Sequence, residues 1–491
     1  MPSDPAGPTD VVQPLWSFRD DVVVEPAPGG GLVVLTRWGD ITVDSPAPSI
    51  ADSLYRMTLG PVALTNVDGL NNGDLHELFD RLPGCVVRSL GLRDSSSPLL
   101  SVTPVSPHGV LQLPDLPLTQ PIRLSRFAFV REVDGELLLE SPLSHHRVVL
   151  HRPLATWVVG SLGRATTSAA IAAAINMAQA VVVEIVAYLA ATGMVVTGEP
   201  GQVAAAPTFD EDTDPDLLTW SPYDLLFHSR SRLGRHDDPA GAVYRHDLPP
   251  LPVVKPVPEG RRFPLYEPDL TAPAAGEMTL TQAVEGRRSV RDFADDGPSA
   301  RELGELLYRC ARLRSQQESV GAGGVRYTVS ERPYPSTGSL YELDLYLTVD
   351  RCDGLPRGNY HYDPRSHSLT LINENATFVD ELLDSAMMLT GAQRRPPVLI
   401  TMTARMGRLS WVYDGICYAT TLKHVGVLQQ TLYLVATMLG LAPCALAMGD
   451  SELAGAAFGL DWPAEVSVGE FVVGKAADAS RGLDGQREVS A

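Results

Sequence analysis

The order of hydrophobic and polar positions divides the chain into alternating and helical stretches. Near the start, residues 22–25, 32–35 and 40–43 are strand-like, and the turn-rich block 26–31 predicts a hairpin. Ile50, Leu54 and Met57 then fall at helical spacing, 73–79 reads as a second helix, and 85–90 returns to a strand. The order repeats further on. Residues 127–131 and 136–140 form a hairpin across Asp134-Gly135, 147–150 is a strand, 154–189 is helix-rich, and 193–196 closes the unit. Two units with one element order suggest a duplication.

The second half is patterned differently. A short amphipathic helix covers 279–286, and Ser299 with Glu302 makes a capping box before an apolar face of Leu303, Leu306, Leu307, Cys310 and Ala311. Strands are expected at 342–349, 358–363, 369–372 and 398–403, the first by alternation. Residues 420–439 form a long apolar helix stopped by Gly440 and Pro443, one that must be buried inside a domain or against a second subunit. A last strand at 471–475 delivers Lys475. Between the halves lie a polar, acidic linker (198–216), a helix opened by Ser221-Pro222, and a proline-dense stretch (248–273) that reads as a stiff connector. Residues 1–15 read as a loose arm. The expected segments are 16–110, 120–200, 217–275 and 276–480.

Composition narrows the function classes. A net charge of −20 argues against a protein that tracks nucleic-acid phosphates, which needs a basic face. Five scattered cysteines without a CxxC pair fit reduced thiols. The apolar stretch 178–196 is interrupted by Gln179, Glu184 and Thr192, so it reads as a buried helix and not a membrane span. With no basic, then apolar, start, a cytoplasmic location is expected.

Candidate chemistry centres on Arg287-Arg288-Ser289-Val290-Arg291-Asp292-Phe293. Three guanidinium groups and a hydroxyl within five residues suit a phosphate plus a second electron-rich group. A cationic helix end favoured by the dipole accounts for the same residues, and on these residues alone both readings stand. Downstream, Pro335-Ser336-Thr337-Gly338-Ser339-Leu340-Tyr341 is a small-residue turn that lets a ligand approach the backbone.

Taken in order, the arginine motif, this turn, the long helix and Leu441-Ala442-Pro443-Cys444 resemble the flavin nitroreductase superfamily. Within it, the chain resembles the SagB-type dehydrogenases, which oxidise azolines in thiazole/oxazole-modified peptides. Asp224-Leu225-Leu226-Phe227-His228 and Gly358-Asn359-Tyr360-His361-Tyr362-Asp363-Pro364 also resemble that group. The resemblance spans about 220–475. Over 16–200 the hairpin-plus-helices units resemble winged helix-turn-helix domains, without a basic recognition helix, so peptide binding is the functional expectation and scaffolding the alternative. The implied fold class is α+β: a nitroreductase-like FMN domain preceded by two winged-helix-like modules.

The resemblance implies FMN as cofactor. Arg287, Arg288 and Ser289 match positions that hold its phosphate and ribityl chain. Arg291 matches the cation beside the ring edge where reduced flavin gathers negative charge. Pro335, Ser336, Thr337 and Gly338 match a loop that covers the flavin from the other subunit of a homodimer. Lys475 is a candidate second phosphate cation, and 445–449 matches backbone near flavin N5. The implied partners are a precursor peptide bearing azolines and a cyclodehydratase. One departure stands out. Family members carry a catalytic Lys-Tyr pair, and the matching positions here are Val412-Tyr413. A tyrosine with an ordinary pKa of about 10 is a weak base near neutrality unless a cation lowers it. Lys423 or His424 on the neighbouring helix are the candidate substitutes.

Overall fold

The computed structural model describes residues 11–64, 77–79, 81–93, 95, 97–199, 207–271 and 277–477. The chain divides into two units, Met1–Asp238 and Pro239–Ala491.

In the first unit a six-stranded antiparallel sheet runs in the order Val12–Phe18, Val86–Leu92, Pro98–Pro104, His146–Leu150, Glu136–Glu140, Phe129–Val133. Strands from both sides of residues 110–120 therefore share one sheet, joined where Val102 pairs with Val148. Residues 12–15, expected in a loose arm, are edge strand, because Leu15 and Phe18 bury against the sheet. The hairpin at 134–135 forms as expected, with Asp134 at φ 52° and Gly135 at φ 86°, the left-handed pair that a tight two-residue turn requires. A separate three-stranded sheet, Val23–Pro26, Leu32–Leu35 and Ile41–Val43, packs with the Pro48–Met57 helix. The expected helix at 73–79 lies outside the described residues except for 77–79. The helix-rich run resolves into Pro153–Ser161, Ser168–Ala174 and Gln179–Ala191. The last of these buries Val182, Ile185, Val186 and Leu189 completely.

The second unit is built on a seven-stranded antiparallel sheet ordered Arg261–Pro264, Ser368–Asn373, Gly358–Asp363, Leu343–Val349, Val398–Arg405, Glu465–Gly474, Ala442–Leu446. The central strand Leu343–Val349 is buried along its whole length. Its alternation sorts residues between two cores and not between core and solvent. Leu343, Leu345, Leu347 and Val349 join the Ala300–Ala311 and Cys417–Met438 helices, while Tyr346 joins the Ala376–Thr390 and Ser451–Phe458 helices. The Cys417–Met438 helix buries one stripe, with Leu428 and Leu432 fully inside, and leaves Tyr418 and Leu422 exposed.

The proline-dense stretch is part of this unit and not a free connector. Prolines supply carbonyls without N–H groups, and three arginines use the carbonyls of this strap: Arg408 Nη1 donates to Leu251 O (2.8 Å), while Arg405 donates to Pro252 O (2.8 Å) and Val253 O (3.1 Å). Arg332 donates to Val253 O as well. Trp411 Nε1 donates to Leu248 O at 2.7 Å.

Candidate active site

The Leu280–Gly286 helix opens with a Thr279–Gln282 capping box and closes at Arg287, delivering the arginine motif to the far end of the Cys417–Met438 helix. The Arg287 guanidinium lies 5.2 Å from the Tyr433 ring centroid, and Ser289 Oγ is 2.7 Å from the Tyr433 hydroxyl. That hydroxyl accepts the Ala445 N–H at 2.7 Å, and the Val290 N–H donates to Pro443 O at 2.9 Å. Tyr433 thus ties the arginine motif to the 445–449 segment. Arg288 and Arg291 are exposed and pair with no described residue.

Lys475 is brought beside this motif by the Phe293–Ala476 bridge, but its ammonium faces carboxylates, Asp296 at 3.2 Å and Glu302 at 3.9 Å. The Asp296 carboxylate raises the lysine's pKa. Behind the 445–449 segment, the Glu470 carboxyl packs against Gly449, and a Cβ at that glycine would lie 2.2 Å from it. Burial pushes the Glu470 pKa up to about 7.

A second cluster forms about 14 Å along the same helix, the rise of the nine-position step from Tyr433 back to His424. The 335–341 turn holds Gly338 (φ 61°), Ser339 (φ 55°) and Tyr341 (φ 48°) in left-handed conformations, a concentration of backbone strain. It is pinned by Tyr341 N–H to Ser336 Oγ (3.1 Å) and by the Tyr341 hydroxyl to Tyr334 O (2.8 Å). The Thr337 N–H donates to His424 Nε2 at 2.9 Å, and Thr337 Oγ1 is 3.1 Å from the same nitrogen. His424 Nδ1 lies 2.7 Å from Oε1 of Glu342, a carboxylate with a fully buried side chain. Pro335, Ser336, Thr337, Thr420, Lys423, His424 and Val427 line a cavity of about 340 Å³, with Lys423 exposed at its rim.

Tyr413 belongs to this second cluster. A Cβ at Gly338 would sit 2.9 Å from its hydroxyl, and its strand pairs with Ala242. Burial, and then the neighbouring Tyr327 phenol, raise its pKa, and no cation opposes them. Val412 faces an apolar cluster of Leu340, Leu409 and Trp411. The structure therefore brings Pro335–Gly338, Tyr413 and Lys423 together, and separately Arg287 and Ser289 with Tyr433, while Arg288 and Arg291 stand exposed beside them in the chain. Sequence reasoning missed Tyr433, Glu342 and Glu470. Tyr433 and Glu342 lie in runs read as helix and strand, Glu470 falls just before the strand read at 471–475, and none carries a local motif.

Two family descriptions match stretches of the chain: the nitroreductase family over residues 284–475 and the cyanobactin oxidase ThcOx over residues 122–237. Residues 284–475 form a nitroreductase-like domain. The domain is that of an oxidoreductase, and its arginine motif, turn, long helix and Lys475 all fall within the match. A Methanocaldococcus jannaschii protein, provisionally named a nitroreductase, is 27% identical over 190 residues, 38% of this chain and 87% of its own length.

Among solved structures, a Ralstonia eutropha protein provisionally named a nitroreductase aligns at 23% identity, covering 49% of this chain and 100% of its own, with a TM-score of 0.34. The Escherichia coli microcin synthetase McbBCD complex with truncated pro-MccB17 bound aligns at 21%, covering 43% and 79%, with a TM-score of 0.30. An Exiguobacterium sibiricum protein, also provisionally named a nitroreductase and solved with FMN, aligns at 14%, covering 41% and 90%, with a TM-score of 0.29. At these scores the superpositions carry no argument of their own. Among the described residues, no helix is long and apolar enough to cross a membrane.

Proposed function

We propose that the chain is an FMN-dependent, SagB-type dehydrogenase that oxidises azolines to azoles in a ribosomally made peptide. The observation that carries this reading is the joint presence, in one chain, of a cyanobactin oxidase match at 122–237 and a nitroreductase-like domain at 284–475. The cation site fits the cofactor. Arg288 and Arg291 stand exposed without a carboxylate partner among the described residues, although the chain carries twenty surplus negative charges. Arg287, Arg288 and Ser289 would hold the phosphate and ribityl chain, and Arg291 the ring edge that becomes negative on reduction. FMN, when bound, supplies the hydride acceptor. The 335–338 loop orients the azoline in the cavity that it lines. Lys475, already matched by two carboxylates, orders the end of the motif. The working unit in this reading is a homodimer whose 335–338 loop covers the partner's flavin. The first unit grips the precursor peptide, and a cyclodehydratase supplies the azoline.

Val412 favours a second reading. Without the family lysine, and with the Tyr413 pKa raised, the same fold would carry out a related flavin oxidation on a different substrate, or serve as a silent flavoprotein scaffold. Heat-released cofactor from the purified protein, identified by mass, tests the first step. FMN supports a flavoprotein, whereas a colourless protein that refuses added FMN overturns both readings.

A further inference from the structure

The raised pKa of Tyr413 leaves open which group accepts the proton in the proposed oxidation. We infer that Thr337, His424 and Glu342 form a proton relay that replaces the missing lysine. The inference rests on the azoline reading above.

The three side chains stand in a hydroxyl–imidazole–carboxylate row. Thr337 Oγ1 is 3.1 Å from His424 Nε2, and His424 Nδ1 is 2.7 Å from Glu342 Oε1. The Thr337 backbone N–H donates to Nε2 at 2.9 Å, so that nitrogen holds the lone pair and Nδ1 carries the hydrogen, which it donates to Glu342. The second Glu342 oxygen is buried and unpartnered among the described residues. A positive charge formed on the His424 ring would lie directly beside this buried carboxylate. The row opens on the cavity between Pro335–Thr337 and Val427. Its hydroxyl end belongs to the strained loop, next to Gly338 and the Tyr413 hydroxyl.

In the relay, the azoline C–H bond breaks and its electron pair becomes the new ring double bond. The proton passes to Thr337 Oγ1 as the hydroxyl's own proton moves to Nε2, and the N–H contact from the Thr337 backbone gives way. The second hydrogen leaves as hydride to an oxidised flavin, the oxidant that the proposed function supplies. Glu342 acts through His424 as a positioning residue that stabilises the imidazolium. Lys423, exposed at the cavity rim, takes no part.

The test uses the FMN-loaded full chain and a short azoline-bearing peptide, reading kcat, KM and FMN affinity together. His424→Gln keeps an acceptor and a donor but takes no proton, and Thr337→Val removes only the hydroxyl. Each lowers kcat by about 100-fold or more with KM and FMN affinity near wild type. Thr337→Ser restores most of the rate. Independently of turnover, ¹⁵N NMR of the unliganded chain, with His424→Gln to assign the signal, shows the Nδ1–H tautomer. Wild-type kcat in His424→Gln, or an Nε2–H tautomer, overturns the relay while the function stands. A wild-type protein that removes no hydrogens from the peptide overturns the function, and the relay with it.

Discussion

The two clusters along the Cys417–Met438 helix are opposite kinds of site. Around Tyr433 the charges are open: Arg288 and Arg291 have no partner among the described residues, and only Arg287 and Ser289 are anchored. Around His424 the polar groups are closed in, since the imidazole is held between the Thr337 backbone and the buried Glu342 carboxylate inside the fold. An open cation set draws its partner from outside, which suits a phosphate. A closed polar row holds a geometry and changes when one proton is added. That contrast supports the binding role proposed for the first cluster and the proton-transfer role proposed for the second.

The contrast breaks most visibly if the open arginines are removed. Arg288→Ala with Arg291→Ala should weaken FMN binding by about 100-fold or more, at roughly 1.5–3 kcal/mol for each charged contact, measured by flavin fluorescence titration. Unchanged affinity would show that the cations serve only the helix end.

Glu470 sharpens the contrast from behind. Its pKa, raised from 4.5 to about 7 by burial, means that the folded state binds this proton more tightly than the unfolded chain does. Its contribution to stability is present below pH 4.5 and is lost as pH rises to 7. Glu470→Gln should therefore stabilise the protein at pH 8, by up to about 3 kcal/mol, and have little effect at pH 4, as read from Tm at both pH values.

Gly338→Ala should cost about 1–2 kcal/mol, because φ is 61°, and it should push the Tyr413 hydroxyl aside. Denaturant unfolding measures the cost, which should leave FMN affinity less changed than the arginine pair does. Lys475→Met should have the smallest effect, leaving FMN affinity unaltered, because its ammonium already faces Asp296 and Glu302.

Much of the second unit was legible because its elements are locally encoded. The Ser299–Glu302 box starts its helix, Gly440 ends the long one, and the 335–341 turn carries the small residues that its left-handed backbone needs. What sequence did not show was long-range. The alternation at 342–349 reads as a strand but does not show that helices cover both of its faces. The proline-dense stretch reads as a connector because the arginines that donate to its carbonyls lie some 80 to 160 residues away. The arginine motif was readable as a cation cluster, but its anchor, Tyr433, sits in an apolar helix. Glu342 and His424 are 82 residues apart, so only the fold makes them a pair. In the first unit, the strands at 98–104 and 12–18 were missed because their residues do not alternate cleanly, and they join one sheet through the Val102–Val148 pairing.

The most direct measurement of the central claim is the mass of an azoline-bearing peptide before and after incubation with the FMN-loaded protein in air. The account predicts the loss of two hydrogens for each ring oxidised. An unchanged mass, with flavin bound and peptide present, would contradict it.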